Sequence, residues 1–206
     1  MQPFKTLTSI AAPLLRANVD TDVIIPIARL VGIDWGNLGP YCFEPWRFRP
    51  DGAENPDFLL NQEPYRRAGI LLNGANFGCG SSREGAVWAL MGIGIKCVIA
   101  PSFSDIFQNN CFQNGLLPVV LPMPEIEAIA DEAAADPARK PVTVDLAAQT
   151  VTTPSGRRLS FDIDPMRREA LIEGLDEIGV SMRREAEIAA FQARDRQARP
   201  WVYATE

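Results

Sequence analysis

The chain has 206 residues, a net charge of −6 and 47% hydrophobic residues. That is enough for one domain with a real core, and the acidic balance excludes general nucleic-acid binding. No apolar run approaches a membrane span, and Met1-Gln2-Pro3-Phe4-Lys5 opens no signal-peptide core, so a cytoplasmic setting is expected.

Leu7, Ile10, Leu14 and Leu15 around Pro13 predict a strand and a turn. Val23-Ile24-Ile25 predicts a short strand stopped by Pro26. Residues 32–66 are rich in Gly, Pro, Asn and aromatics; linkers lack so many aromatics, so this is a long ordered loop of functional or interfacial use. A β–α–β–α–β alternation follows: strand Ile70–Leu72, a helix through Val87, Trp88, Leu90 and Met91, strand Cys97–Ala100, a helix over 104–114 stopped by Gly115, and strand Leu117–Leu121. Helix-linked strands favour a parallel sheet. A helix is expected over 124–135, three antiparallel strands over 142–146, 149–152 and 158–163, and helices over 165–173 and 182–194. Residues 196–206 read as a tail.

The first strand of that alternation leads into Asn76-Phe77-Gly78-Cys79-Gly80-Ser81-Ser82-Arg83-Glu84. Gly78 and Gly80 permit sharp turns. Ser81 and Glu84, three apart before an apolar run, match a capping box. A cap needs one hydroxyl, whereas this turn gathers two hydroxyls and a guanidinium beside the N–H groups of a helix start. That set suits an anionic substrate. The spacing of Gly78, Gly80 and Gly85 is not the dinucleotide fingerprint, and no Gly-Lys-Ser/Thr follows for a phosphate loop.

Histidine is absent from the sequence, and Cys42, Cys79, Cys97 and Cys111 form no C-x-x-C pair. A mixed Cys/His zinc site is thereby excluded, the cysteine spacing gives no support for an iron–sulfur site, and no metal ligand is assigned.

Four ordered stretches carry a family resemblance: Asn18 to Pro26, Gly78 to Glu84, Ala100 to Phe107 with Asn114 to Pro118, and Gly174 to Gly179. Together, over about residues 5–195, they resemble the small, swivelling domain of the aconitase superfamily, nearest to the isopropylmalate dehydratase small-subunit family. The resemblance implies an α/β fold of the swivelling β/β/α type: a central, mostly parallel sheet flanked by helices, plus a small antiparallel set. It implies one domain over 1–195 and a C-terminal tail over 196–206. It also implies reversible dehydration of a small hydroxy-diacid in leucine biosynthesis. Ser81 would be the base, Ser82 and Arg83 would bind substrate, and Thr21, Asp22, Gly78 and Gly80 would support them. Arg29 could also reach the substrate. A [4Fe–4S] cluster would sit on a large-subunit partner, with none in this chain, in a heterodimer or heterotetramer. The sequence departs from the family at Gly85, where a histidine is usual. Two alternatives stay open. One is a paralogous hydro-lyase for a dimethylmalate, methylmalate or homocitrate-type substrate. The other is a non-catalytic carboxylate-binding regulatory module, against which the retained Ser81, Ser82 and Arg83 argue.

Overall fold

The computed structural model describes residues 1–31, 35–81 and 83–203. Two four-stranded sheets form its frame. The first strands, β1 (Thr6–Ser9) and β2 (Ala11–Pro13), are separated only by Ile10 and enter different sheets. The expected single strand is therefore two. The parallel sheet runs β2-β3-β4-β5, with β3 at Ile70–Leu72, β4 at Cys97–Ala100 and β5 at Leu117–Val120. Its register sets Ala12 beside Leu71, Leu71 beside Val98 and Val98 beside Pro118. Pro13 and Pro118 both fall in edge strands, where a missing N–H leaves no ladder bond unmade. The antiparallel sheet runs β1-β6-β7-β8, with β6 at Val142–Asp145, β7 at Thr150–Thr152 and β8 at Arg158–Ser160.

Strand alternation divides the core between the two faces of the parallel sheet. Ile70, Leu72, Cys97 and Ile99 join Ile126 and Ile129 of α5 (Met123–Ala134) and Val142, Val144 and Val151 of the second sheet. Leu71, Val98 and Ala100 join Ala86, Val87 and Leu90 of α3 (Glu84–Gly92) and Phe107 and Cys111 of α4 (Asp105–Asn114). The result is the β/β/α layering expected. Gly115 ends α4 with φ +86, as an αL stop should.

Val23-Ile24-Ile25 is not a strand. Residues Thr21–Ile24 form one helical turn, α1, because the Asp20 carboxylate accepts from the Asp22 N–H at 2.7 Å and caps it. Residues 35–66 are built from short helical turns, including α2 (Glu44–Arg47), over buried Leu38, Phe43, Phe58 and Leu60. Gly39 lies directly on Gly92 at the end of α3: a Cβ on Gly39 would come within 2.6 Å of that backbone.

The C-terminal part departs most from expectation. Helix α6 (Pro165–Glu173) is as predicted, capped by Asp164 and ended by Gly174. Residues Glu177–Met182 then form a further helix, α7, and α8 spans Glu185–Ala198, starting later than predicted and running into the expected tail. The apolar periodicity fades after Phe191, but Gln, Ala and Arg are good helix formers and carry the helix on. Beyond it, Arg199 Nε at 2.6 Å and the Tyr203 hydroxyl at 2.8 Å donate to the Asp195 carboxylate. Those two bonds hold the Asp195 carboxyl below its usual range. No residue of α7 or α8 is buried. Among the described residues, no helix is long and apolar enough to cross a membrane.

Candidate active site

The polar turn stands at the C-terminal end of β3, where α/β sheets place their ligand sites. Two neighbouring segments stitch its backbone in position. On one side the Gly78 N–H donates to the Val19 carbonyl and the Thr21 N–H to the Cys79 carbonyl, both at 2.9 Å. On the other, Phe77 donates to the Ser102 carbonyl at 3.1 Å and Ser104 to the Phe77 carbonyl at 3.0 Å. Three of the four motifs read from the sequence thus meet here. The fourth does not: Gly174 accepts from the Met1 ammonium at 3.0 Å, and Glu177 accepts from Gln113 at 2.9 Å.

Gly78 and Gly80 have φ of +74 and +85, which side chains disfavour, and neither has room for a Cβ. One at Gly78 would strike the Phe107 ring, and one at Gly80 would strike the Asp20 carboxylate. Phe107 belongs to an aromatic floor in which Phe77 meets it edge-on at 5.3 Å and Phe103 stacks on it at 6.4 Å. A local pattern could not have found this floor. Asp20 was findable, because Asp-Thr-Asp before an apolar run is an Asx-cap signal.

The turn ends in Ser81, which is exposed, and Arg83, which is the N-cap residue of α3. Ser82 lies outside the described residues. The capping box does not form. Among the described residues no side chain caps α3, and the Glu84 carboxylate accepts from Asn114 at 2.8 Å instead. Arg83 Nη1 donates to Asp22 Oδ1 at 3.0 Å, an ion pair half open to solvent, with one bond to one oxygen. Asp22 therefore aims the guanidinium while leaving donors for a ligand carboxylate. Thr21 is buried, so it supports α1 from within, and its hydroxyl finds no hydrogen-bond partner among the described residues.

Arg29 is differently placed. Its Nε and Nη2 donate to Glu44 at 2.9 and 2.6 Å, and its guanidinium lies 4.5 Å from the centre of the Tyr41 ring. That bidentate pair raises its pKa further and occupies the fork a substrate would use. Leu30, the next residue, leans on Gly85, where a Cβ would come within 2.5 Å of the Leu30 Cδ2.

The chain's own residues do not fit an iron–sulfur cluster. Cys42, Cys97 and Cys111 are buried, and burial raises all three thiols. Cys79, partly exposed, is also raised by burial and by the nearby Asp20 carboxylate. No group of three or more metal-ligating side chains occurs among the described residues.

The chain matches known families along most of its length. Residues 1–124 match a model described as the aconitase C-terminal domain and 127–165 one described as LeuD_N. Residues 177–205 match the C-terminal domain of the 3-isopropylmalate dehydratase small subunit. The chain is 52% identical over 98% of its length to the 3-isopropylmalate dehydratase small subunit of Gluconacetobacter diazotrophicus, of which 97% is covered. It is also 52% identical to that of Dinoroseobacter shibae, which is covered completely. A crystal structure of 3-isopropylmalate dehydratase from Methanocaldococcus jannaschii is similar, with TM-score 0.65 and 26% identity over 90% of this chain and 99% of that one. The chain belongs to the 3-isopropylmalate dehydratase small-subunit family.

Proposed function

We propose that the chain is the substrate-gripping half of a 3-isopropylmalate dehydratase, active with a large subunit in a heterodimer or heterotetramer. It would work in the cytoplasm, as one swivelling domain over 1–195. The reaction is the interconversion of 2- and 3-isopropylmalate through 2-isopropylmaleate. One observation carries the reading: Ser81 and Arg83 are presented together on a turn whose backbone is pinned from both sides, with Arg83 aimed by Asp22.

Dehydration of a hydroxy-diacid requires removal of a proton from the carbon beside a carboxylate and departure of hydroxide from the next carbon. Ser81 takes the proton at its Oγ. A serine is a poor base in water, and the α3 N-terminus and the Arg83 charge favour its alkoxide form. Among the described residues Ser81 does not cap α3, so capping does not compete with its role as base. Arg83 holds a substrate carboxylate by parallel N–H bonds, so the reacting carbon is fixed beside Ser81. Ser82 would add a hydrogen bond beside it. A [4Fe–4S] cluster on the large subunit would supply Lewis-acid help to the leaving hydroxide. The same half-site would suit other substituted malates, and no observation favours one over isopropylmalate.

The test is reconstitution. The chain alone should fold and show no turnover. Mixing it with its large subunit and iron under anaerobic conditions should give turnover of 2-isopropylmalate. Activity from the purified, metal-free chain, or none from the reconstituted pair, overturns the reading.

A further inference from the structure

Beside the turn lies a polar cluster that the proton transfer does not use. Asn114 is the last residue of α4. Its amide nitrogen donates to Glu84 Oε1 at 2.8 Å and to the Asn110 carbonyl at 2.9 Å, and its amide oxygen accepts from Trp88 Nε1 at 2.7 Å. With both donors and the acceptor engaged, the orientation of this amide is fixed. Glu84 and Trp88 are four residues apart, so both bonds reach one stripe of α3, in its first turn and its second. Among the described residues the N-terminus of α3 has no side-chain cap. Besides the Arg83–Asp22 pair, its first turn is held by a residue 30 positions away in sequence.

We infer that Asn114 is a positioning residue that clamps the first turn of α3 to the end of α4, and so sets where Ser81 and Arg83 stand. The inference rests on the roles proposed for those two residues. Glu84 is joined directly to Arg83, and Ser81 lies two residues before that. A rotation of the first turn would move the backbone of both residues, while the Asp22 tether holds the Arg83 guanidinium. A neutral side chain with a donor and an acceptor on one carbon serves Glu84 and Trp88 together. Aspartate would set two carboxylates face to face, and leucine would leave the Glu84 carboxylate and the Trp88 indole N–H without this partner. Arg83 keeps its separate tether on Asp22, so ground-state binding of a carboxylate survives loss of the clamp. Placement of the base does not, and misplacement by about 1 Å costs on the order of 10²-fold in rate.

The experiment uses the reconstituted pair. Asn114→Ala should lower kcat by about tenfold or more with KM within about twofold, equally at pH 6 and pH 8.5. Asn114→Asp should show the same loss at pH 8.5 and recover at least about threefold relative to wild type at pH 6. There two facing carboxylates share one proton, and an O–H···O bond to Glu84 replaces the lost N–H···O bond. Glu84 is the charged member of this cluster, and its neighbour Arg83 is paired with Asp22. Wild-type kcat in Asn114→Ala, a rise in KM matching the fall in kcat, or identical pH behaviour of the two variants would each overturn the clamp. Should both variants fail to fold, Trp88→Phe removes the indole N–H together with one ring of the side chain, and unfolding by urea reports the packing loss separately. The substitution should lower kcat by about two- to fivefold at constant KM, and no change overturns the proposal. A second readout separates the clamp from the functional reading. The Trp88 indole N–H resonance, assigned with Trp88→Phe, should move between pH 6 and 8.5 in Asn114→Asp and stay fixed in wild type. A resonance that does not move in Asn114→Asp overturns the clamp even if the pair turns over no malate.

Discussion

The turn at residues 76–83 and the helices of residues 177–202 both face solvent, but they are anchored differently. The turn is exposed at its tip and pinned at its base. Its backbone bonds to residues 19–21 on one side and 102–104 on the other, and Gly78 rests on Phe107. What it shows to water is polar: Ser81 and part of Arg83. Helices α7 and α8 have no buried residue, and what they show to water includes Ile178, Met182, Ile188 and Phe191. Around α8 the side-chain bonds are local, Arg199 and Tyr203 on Asp195, whereas α7 is tied to α4 through Glu177 and to α6 through Arg183. Exposure alone is therefore a poor guide to a site. A small polar group held by long-range backbone bonds is preorganised for chemistry, whereas an apolar side chain on a locally stabilised helix is not.

The sharpest way to break this comparison is to remove the floor of the turn. Phe107 is completely buried between Gly78 and the sheet. Phe107→Ala should lower unfolding free energy by about 3–5 kcal/mol, measured by urea denaturation. A loss below about 1.5 kcal/mol would mean that the turn does not depend on that packing.

Ser81→Ala leaves the backbone of the turn intact and removes only its proposed chemistry. In the reconstituted pair kcat should fall by at least about 10²-fold, while binding to the large subunit is unchanged. Near wild-type turnover would show that the base is another group.

Arg83→Lys keeps the charge and loses the planar fork. Transition-state stabilisation should weaken by about 1.5–3 kcal/mol, read as kcat/KM and as inhibition by diacids. Asp22→Asn should cost less, about 0.5–1.5 kcal/mol, because the amide oxygen still accepts from Arg83. If Asp22→Asn exceeds Arg83→Lys, Asp22 does more than aim the guanidinium.

These residues also show how much is legible in the sequence. The β–α–β–α–β order is readable because β3, β4 and β5 are continuous apolar runs and Gly115 is an unambiguous stop. The glycine turn is readable because its chemistry lies in consecutive residues. Val23-Ile24-Ile25 misleads because three apolar residues carry no period, and the decisive signal is the Asp20 cap before them. The capping box misleads for a different reason: Glu84 finds a partner in Asn114, and no local pattern reports a contact 30 residues away. The end of α8 is hidden because intrinsic propensity, not burial, carries it.

The smallest expected effect lies in the other region. Phe191 is 54% exposed and belongs to a helix with no buried residue. Fully burying a phenylalanine contributes about 1.5–3 kcal/mol, but here much of the residue stays in water. Alanine is also the better helix former by a few tenths of a kcal/mol, which offsets part of what the ring contributes. Phe191→Ala in the isolated chain should therefore change unfolding free energy by no more than about 0.5 kcal/mol. The contrast with Phe107→Ala, the same substitution at a buried position, is the direct measure of the two kinds of surface. A loss above about 2 kcal/mol at Phe191 would show that α8 is packed on the body of the domain, and the distinction between a pinned turn and a locally held helix would fail.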